Sequence, residues 1–305
     1  MRVAYKYHFR RFVTDHSGAR QTTASVAGVR RASSVFGCAS SVFINDLHGS
    51  RLREPVPLAG RLGDYEESAV RWGLSSAILD RPWFIKEKAR RMGGEIQGGY
   101  DRVAEGYAEQ FRDELDRKPF DRKMLDWLAE KVGGLGVVCD MGCGPGQIAR
   151  YLHSRGTKVC GVDLSPEMVR QASKLNPGIN FRQGDMSALI EVEDNSYGGV
   201  AAFYSVVNLP RRSVVAALRE LRRVLRPGGV LLLAFHVGEE TKHLDEWLGE
   251  KVSMDFFFFT TEEVKGYLKA AGFELEEAIE RDPYPEGVEY QSRRAYIFAR
   301  KPPHG

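Results

Sequence analysis

A chain of 305 residues can bury a full core, and its length fits a single α/β domain with an extension. Hydrophobic content of 43% and charged content of 28% are ordinary for a soluble globular protein, and no stretch approaches the roughly 20 apolar residues of a membrane span. The net charge of +3 hides an asymmetry: residues 1–90 carry 15 Lys and Arg against 8 Asp and Glu, the remainder 29 against 33, so the basic excess says nothing of nucleic-acid binding by the core.

Residues 1–90 are expected to be a low-order basic extension without a catalytic role. Residues 1–60 are rich in Ser, Arg, Ala and Gly, and Asp15 and Asp46 are the only acids among the first 50. An organelle-targeting segment, a disordered arm, and a chain whose real start is Met92 are all consistent with that composition. Residues 64–90 have room for one short helix. Cys38, Cys139, Cys143 and Cys160 form no C-x-x-C pair and read as reduced thiols of a cytoplasmic protein.

From about residue 100 the pattern is regular. Tyr100, Val103, Tyr107, Phe111 and Leu115 recur near helical spacing, and a second helix follows with Asp121 as its cap, so residues 91–134 are expected to be N-terminal lid helices. Residues 135–302 then alternate strand and helix. LGVVCDMG, TKVCGVDL, INFRQGD, YGGVAAFYSVV and VLLLAFHV read as strands; the helices between them include one with Ser165 as N-cap and Pro166 in its first turn. A helix beginning at a Thr cap ends at Gly272, and two strands finish the chain. Such alternation implies a parallel sheet with right-handed crossovers.

The glycine turn CDMGCGPG, residues 139–146, lets backbone N–H groups approach a ligand. It is not a phosphate cradle of either usual kind. Gln147 stands where the dinucleotide fingerprint wants Gly, and no Lys follows Gly146 as in a P-loop. Asp140, just before the turn, would repel a pyrophosphate and welcome a cation. Asp163 ends the next strand, where an acid takes ribose hydroxyls, and Asp185 ends the third, where one can accept from an adenine amine. A ligand with a cationic amino-acid end, a ribose and an adenine fits three such acids, and S-adenosylmethionine has all of these.

VVCDMGCGPG resembles the first motif of class I S-adenosylmethionine-dependent methyltransferases, VCGVDLSPEMV their second and FRQGDM their third. YGGVAAFYSVVNL and ALRELRRVLRPGGVLLLAF are similar to their fourth strand, the helix after it and their fifth strand. The resemblance covers roughly residues 100–300 and points to the small-molecule enzymes of this class. It implies a Rossmann-like doubly wound seven-stranded sheet in the order 3-2-1-4-5-7-6, strand 7 antiparallel, with S-adenosyl-L-methionine as cofactor. By position, Asp140 would hold the amino group, Gly142 and Gly144 would pack on the cofactor, and Asp163 would take the ribose. Leu164, Asp185 and Met186 would meet the adenine. Phe203 and Tyr204 would stand near the transferred methyl, and Tyr100 and Tyr107 would form a lid. Asn208 replaces a His that relatives often carry.

Methyl transfer from a sulfonium is an in-line displacement that can run largely on proximity and desolvation. If the acceptor must lose a proton, His236 is the best candidate base, with the plainer alternative that it shapes the pocket. His243 lies seven residues on, on the same helical face if that segment is a helix, and no third ligand at useful spacing makes a metal site of the pair. Residues 236–260 would select the acceptor, and the Phe256–Phe259 run is expected to be core or a wall of that pocket. Arg293 and Arg294 could face an acidic acceptor, with one of them turned to solvent on an edge strand. The expected partner is a small-molecule methyl acceptor; O-, N- and C-methylation and the oligomeric state stay open. A NAD(P)-dependent oxidoreductase and a non-catalytic cofactor-binding protein are the alternatives, and a nucleic-acid acceptor is disfavoured by the acidic core.

Overall fold

Hydrophobic runs too continuous to alternate between core and water have to be covered on both faces, and that requirement organises the chain. The computed structural model describes residues 82–303, so the expected extension up to residue 81, with Cys38, lies outside the described residues. The chain divides into Met1–Lys86 and Glu87–Gly305, and the sheet and its helices belong to the second.

Helix α1 (Pro82–Phe111) and helix α2 (Pro119–Val132) come first, joined through a 3-10 turn at Glu114–Arg117. Then follow β1 (Val138–Met141), α3 (Gln147–Ser154), β2 (Val159–Asp163), α4 (Pro166–Leu175), β3 (Asn180–Gln183) and β4 (Tyr197–Phe203). After them come α5 (Arg211–Val224), β5 (Leu225–His236), β6 (Thr241–Trp247), β7 (Glu250–Phe257), α6 (Thr261–Ala270), β8 (Glu274–Arg281) and β9 (Arg294–Arg300). Seven of the strands form one sheet in the order β3-β2-β1-β4-β5-β9-β8. The first five run parallel, and β9 is antiparallel to both neighbours. With β8 and β9 counted as strands six and seven, this is the expected order.

The core lies on both faces. Because side chains alternate along a strand, Val200, Ala202, Leu231 and Leu233 pack on one side with Leu218 and Leu221 of α5 and Leu268 of α6. Ala201, Leu232 and Phe298 pack on the other with Leu125 and Leu128 of α2 and Ile148 and Leu152 of α3. Buried residues of α5 at 214, 217, 218, 221 and 224 keep the spacing of one helical face. Ser165 caps α4 by accepting from the Met168 amide, and Thr260 caps α6 by accepting from the Glu263 amide.

Three expectations are corrected. Asp121 does not cap α2, which starts at Pro119 after Lys118; Asp121 is buried inside the first turn and paired to Arg281 at 3.0 Å. The Arg293–Arg294 strand is not an edge, since β9 lies between β5 and β8. The segment after β5 is not helical but a β6–β7 hairpin outside the main sheet, which puts His243 on a strand. Leu248 and Gly249 turn this hairpin with positive φ, and Val252 and Met254 pack with Val103 and Ala104 of α1.

Leu232 is fully buried at the centre of the sheet, in register with Ala201. Leu232→Ala is expected to lower the unfolding free energy by about 2–5 kcal/mol in a denaturant titration, with the slope unchanged.

Candidate functional site

Open α/β sheets bind ligands beyond the carboxyl ends of their strands, where the strand order reverses. Here that point lies between β1, which starts the order β1-β2-β3, and β4. Asp140 sits near the end of β1 with 1% of its surface exposed, and its Oδ2 accepts from the Ala149 amide, 3.0 Å away in the first turn of α3. Burial dominates the amide's help and lifts its carboxyl to about 8, with Asp163 adding repulsion. Asp163 accepts on both oxygens, from the Gly144 amide at 2.8 Å and the Ser165 amide at 2.9 Å, and burial raises its carboxyl to about 6. Two carboxylates so close and so poorly compensated want a cation or hydrogen-bond donors.

The turn between them needs glycine. Gly142 has φ of 73°, and a Cβ there would come within 2.3 Å of the Ser205 side chain. The Ser205 hydroxyl beside it is buried without a hydrogen-bond partner. Gly144, at φ of 50°, faces the Tyr107 ring at ordinary contact distance. The buried Asn176 amide braces the turn from below by donating to the Pro145 carbonyl at 2.9 Å.

Asp185 and Met186 follow β3; Asp185 is exposed and accepts from the Ser187 amide at 2.8 Å. Leu164 is half-buried, and its carbonyl accepts from Gln183. Above the turn stands α1. Tyr100 and Tyr107 meet edge to face at 6.2 Å, and each also meets Trp247 of the hairpin. The Tyr100 hydroxyl donates to Asn208 at 2.8 Å, and Asn208 donates to the Asp255 carbonyl at 3.1 Å. Asn208 thus ties helix, sheet and hairpin together. Asp101 accepts from the Ser165 hydroxyl at 2.6 Å, which pins α1 to the start of α4.

Past β4 and β5 lies a second cluster. Phe203 is buried, and Tyr204 after it holds a left-handed backbone, φ of 53°, rare for a bulky side chain. Its hydroxyl lies 3.3 Å from the Tyr296 hydroxyl and 3.4 Å from Asp121. Its ring is 5.2 Å from that of His236, the last residue of β5, and His236 stacks on Phe258 at 4.9 Å. Arg294, 2% exposed, donates to His236 Nδ1 at 2.9 Å. A guanidinium has no lone pair to offer, so Nδ1 is the acceptor and the neutral ring carries its proton on Nε2. Burial, then Arg294, Lys118 and Lys242, push the imidazole well below its ordinary value. His236 is therefore arranged as a neutral ring whose Nδ1 lone pair is taken by Arg294 and whose Nε2–H can donate. His243 stands apart, held by Asp255 at 2.7 Å. Arg293 is exposed and pairs with Glu280.

The sheet order and the glycine turn agree with the comparison of the chain to known families. Residues 138–229 match the family model described as a methyltransferase domain. Residues 138–229 thus carry a methyltransferase domain. The malonyl-(acyl-carrier protein) O-methyltransferase of Enterobacter lignolyticus (strain SCF1) is 33% identical over 136 residues, 45% of this chain and 51% of its own length. The 2-methyl-6-phytyl-1,4-hydroquinone methyltransferase of Synechocystis sp. is 36% identical over 184 residues, 53% of this chain and 57% of its own. The chain spans about half the length of the curated relatives it matches. Among solved structures, the 1,6-didemethyltoxoflavin-N1-methyltransferase of Burkholderia thailandensis shares the fold, with a TM-score of 0.53 and 20% identity over 71% of this chain and 90% of that one.

Around this methyltransferase domain the structure gathers Asp140, Gly142, Gly144, Asp163, Tyr100 and Tyr107 at one place, and Tyr204 with His236 at the next. Sequence reasoning missed Asp101, Ser205 and Lys118. Only Asp101 carried a visible cue, as the neighbour of Tyr100.

Two outcomes are expected. Asp140 and Asp163 have carboxyl groups raised above the unfolded range, so the stability they lend is full in acid and is lost as pH climbs through about 6 and then 8. The ligand-free protein should melt lower at about pH 8.5 than at about pH 6, and Asp140→Asn should flatten that difference. Nitrogen-edited NMR of the imidazoles should show His236 neutral and protonated on Nε2 at about pH 6, where an ordinary histidine is mostly charged.

Proposed function

We propose that the chain transfers a methyl group from S-adenosylmethionine to a small-molecule acceptor. The observation that carries this reading is Asp140: a carboxylate with 1% exposure, lifted to about 8, just before a glycine turn, with no cation bonded to it among the described residues. The ammonium of the cofactor's methionine end would supply the missing charge, and the unpartnered Ser205 hydroxyl beside Gly142 offers that end a further hydrogen bond. The residues present fit the group.

Asp163 would take the ribose hydroxyls, each of its oxygens having a lone pair beyond the amides it already accepts. Leu164, Asp185 and Met186 would frame the adenine. Tyr107, against Gly144, and Tyr100, tied to Asn208, would cover the bound cofactor and keep water out. When bound, the cofactor supplies an electrophilic methyl on a sulfonium with a good leaving group. Phe203 and Tyr204, at the end of β4, would border that methyl, and His236 would orient the acceptor through Nε2–H. No proton need pass to His236 for this, which suits a reaction run mainly on proximity and orientation.

A dinucleotide is disfavoured by the same geometry, since its pyrophosphate would meet Asp140 and Asp163. The acidic balance of residues 91–305 likewise supports a small-molecule acceptor over a nucleic acid. We place the protein in the cytoplasm on the three buried or half-buried free thiols, Cys139, Cys143 and Cys160. Among the described residues, no helix is long and apolar enough to cross a membrane.

Calorimetric titration with S-adenosylmethionine, S-adenosylhomocysteine and NAD tests the proposal. Both sulfur ligands should bind, Asp163→Ala should weaken them at least about tenfold, and S-adenosylmethionine binding at about pH 7 should release protons as Asp140 ionises against the ammonium. A folded protein that ignores both sulfur ligands, or prefers NAD, overturns it.

A further inference from the structure

One pair of thiols has no part in the chemistry above. Cys139 of β1 and Cys160 of β2 are direct partners across the parallel ladder. Neighbouring strands stand about 4.8 Å apart, within the Cα separation of roughly 4.4–6.8 Å that a disulfide spans. Partners in register turn their side chains to one face, and both cysteines belong to the same apolar cluster, with Val162 and Tyr197. Cys143 lies on the other face. Its sulfur is 3.0 Å from where a Cβ on Gly161 would stand, in a cluster with Ala149, Ala172 and Phe181.

The surroundings of the two partners differ. Cys139 is fully buried and Cys160 half-buried. Beside them Tyr197 is buried, and its hydroxyl accepts from Arg182 of β3 at 2.5 Å. The Cys139 thiol, then the Tyr197 hydroxyl and the Arg182 charge, hold Cys160 below the ordinary thiol range, whereas burial holds Cys139 well above it. The thiolate is the nucleophile, and a thiolate open to solvent, near a guanidinium and next to a second thiol, is arranged to be oxidised and then resolved. An inert core cysteine has neither the cation nor the neighbour. Among the described residues no group of three or more His, Cys, Asp or Glu could hold a metal ion, so the pair is not part of a metal site.

We propose that Cys160 is a site of oxidation by peroxides and that Cys139 closes on it in a reversible disulfide between β1 and β2. The Cys160 thiolate attacks one peroxide oxygen. An S–O bond forms, the O–O bond breaks and hydroxide leaves, so the sulfur is oxidised to a sulfenic acid and the peroxide reduced. The Cys139 sulfur then attacks the Cys160 sulfur; the S–S bond forms, the S–O bond breaks, and the hydroxyl leaves as water with the Cys139 proton. Neither step depends on methyl transfer. The loop so closed takes in Asp140, the glycine turn and α3, so the oxidation state of the pair is built into the frame of the candidate site. Transient disulfides of this kind are compatible with a reducing compartment.

The test treats the reduced full chain with hydrogen peroxide, quenches it with iodoacetamide and maps the peptides by mass spectrometry without reduction. A single new disulfide, Cys139 to Cys160, should form, and dithiothreitol should open it. Cys139→Ser should leave Cys160 as a sulfenic acid that dimedone traps, and Cys160→Ser should leave Cys139 unoxidised. Arg182→Gln should slow the loss of the Cys160 thiol about threefold or more. Thermal melting of each variant is the folding control; if the buried Cys139 variant fails it, the unaltered chain and the half-buried Arg182 and Cys160 variants carry the comparison. A disulfide from Cys160 to Cys38 or Cys143, oxidation of Cys143 as fast as of Cys160, an Arg182→Gln chain as quick as the unaltered one, or survival of both thiols overturns the proposal.

Discussion

A buried carboxylate at the head of the sheet sets the terms for everything around it. Asp140 gives up water and receives one backbone amide, from Ala149 in the first turn of α3. That bond draws on the positive end of the helix, and it fixes how α3 leaves the glycine turn. The amide alone does not offset the burial, as the raised carboxyl shows. On the proposed reading, that uncompensated carboxylate is what would select a cationic ligand and reject a phosphate. Asp163 adds its charge from the adjacent strand while its own bonds to Gly144 and Ser165 hold turn and helix α4 in place. The same two acids thus shape the backbone and, on that reading, would define what may sit on it.

Over this base lie two further layers that pack on each other. Helix α1 and the β6–β7 hairpin share an apolar cluster of Val103, Ala104, Val252 and Met254, and an aromatic one of Tyr100, Tyr107 and Trp247. Their polar stitching runs through Asn208 at the end of a short turn after β4. Asn208 is poorly suited to proton transfer but has both a donor and an acceptor, and it spends each on a different element. The exchange of a histidine-type role for an amide-type role makes this position a tie between the two coverings.

Much of this was legible before any coordinates. The parallel sheet and the Ser165 cap follow from hydrophobic runs and turn residues, because those are local rules the fold obeys, while the strand order came with the resemblance of the motifs. The three acids were legible as strand-end residues for the same reason. The hairpin was not, although Val252, Met254 and Phe256 alternate with Lys251, Ser253 and Asp255 in a strand's rhythm. Its Leu248-Gly249 turn lacks the Asn or Asp that marks a tight hairpin, and the Phe256–Phe259 run drew attention to core packing instead. Asp121 misled for a related reason: an acid near a helix start looks like a cap, whereas its partners Arg281 and Tyr296 lie about 160 and 175 residues away in sequence. The tautomer of His236 was beyond reach too, since it depends on which atom Arg294 addresses across two strands.

Tyr204 carries a different lesson. Its left-handed backbone would suit glycine or asparagine better, and a bulky residue held there costs on the order of 1–3 kcal/mol. What the position gains is a ring over which Lys118 and Arg294 both rest, 5.2 Å from His236. Laboratory evolution for heat resistance would therefore tend to remove the tyrosine, while the methyl transfer proposed above would keep it. On that proposal, the residue marks the point where robustness and chemistry pull in opposite directions.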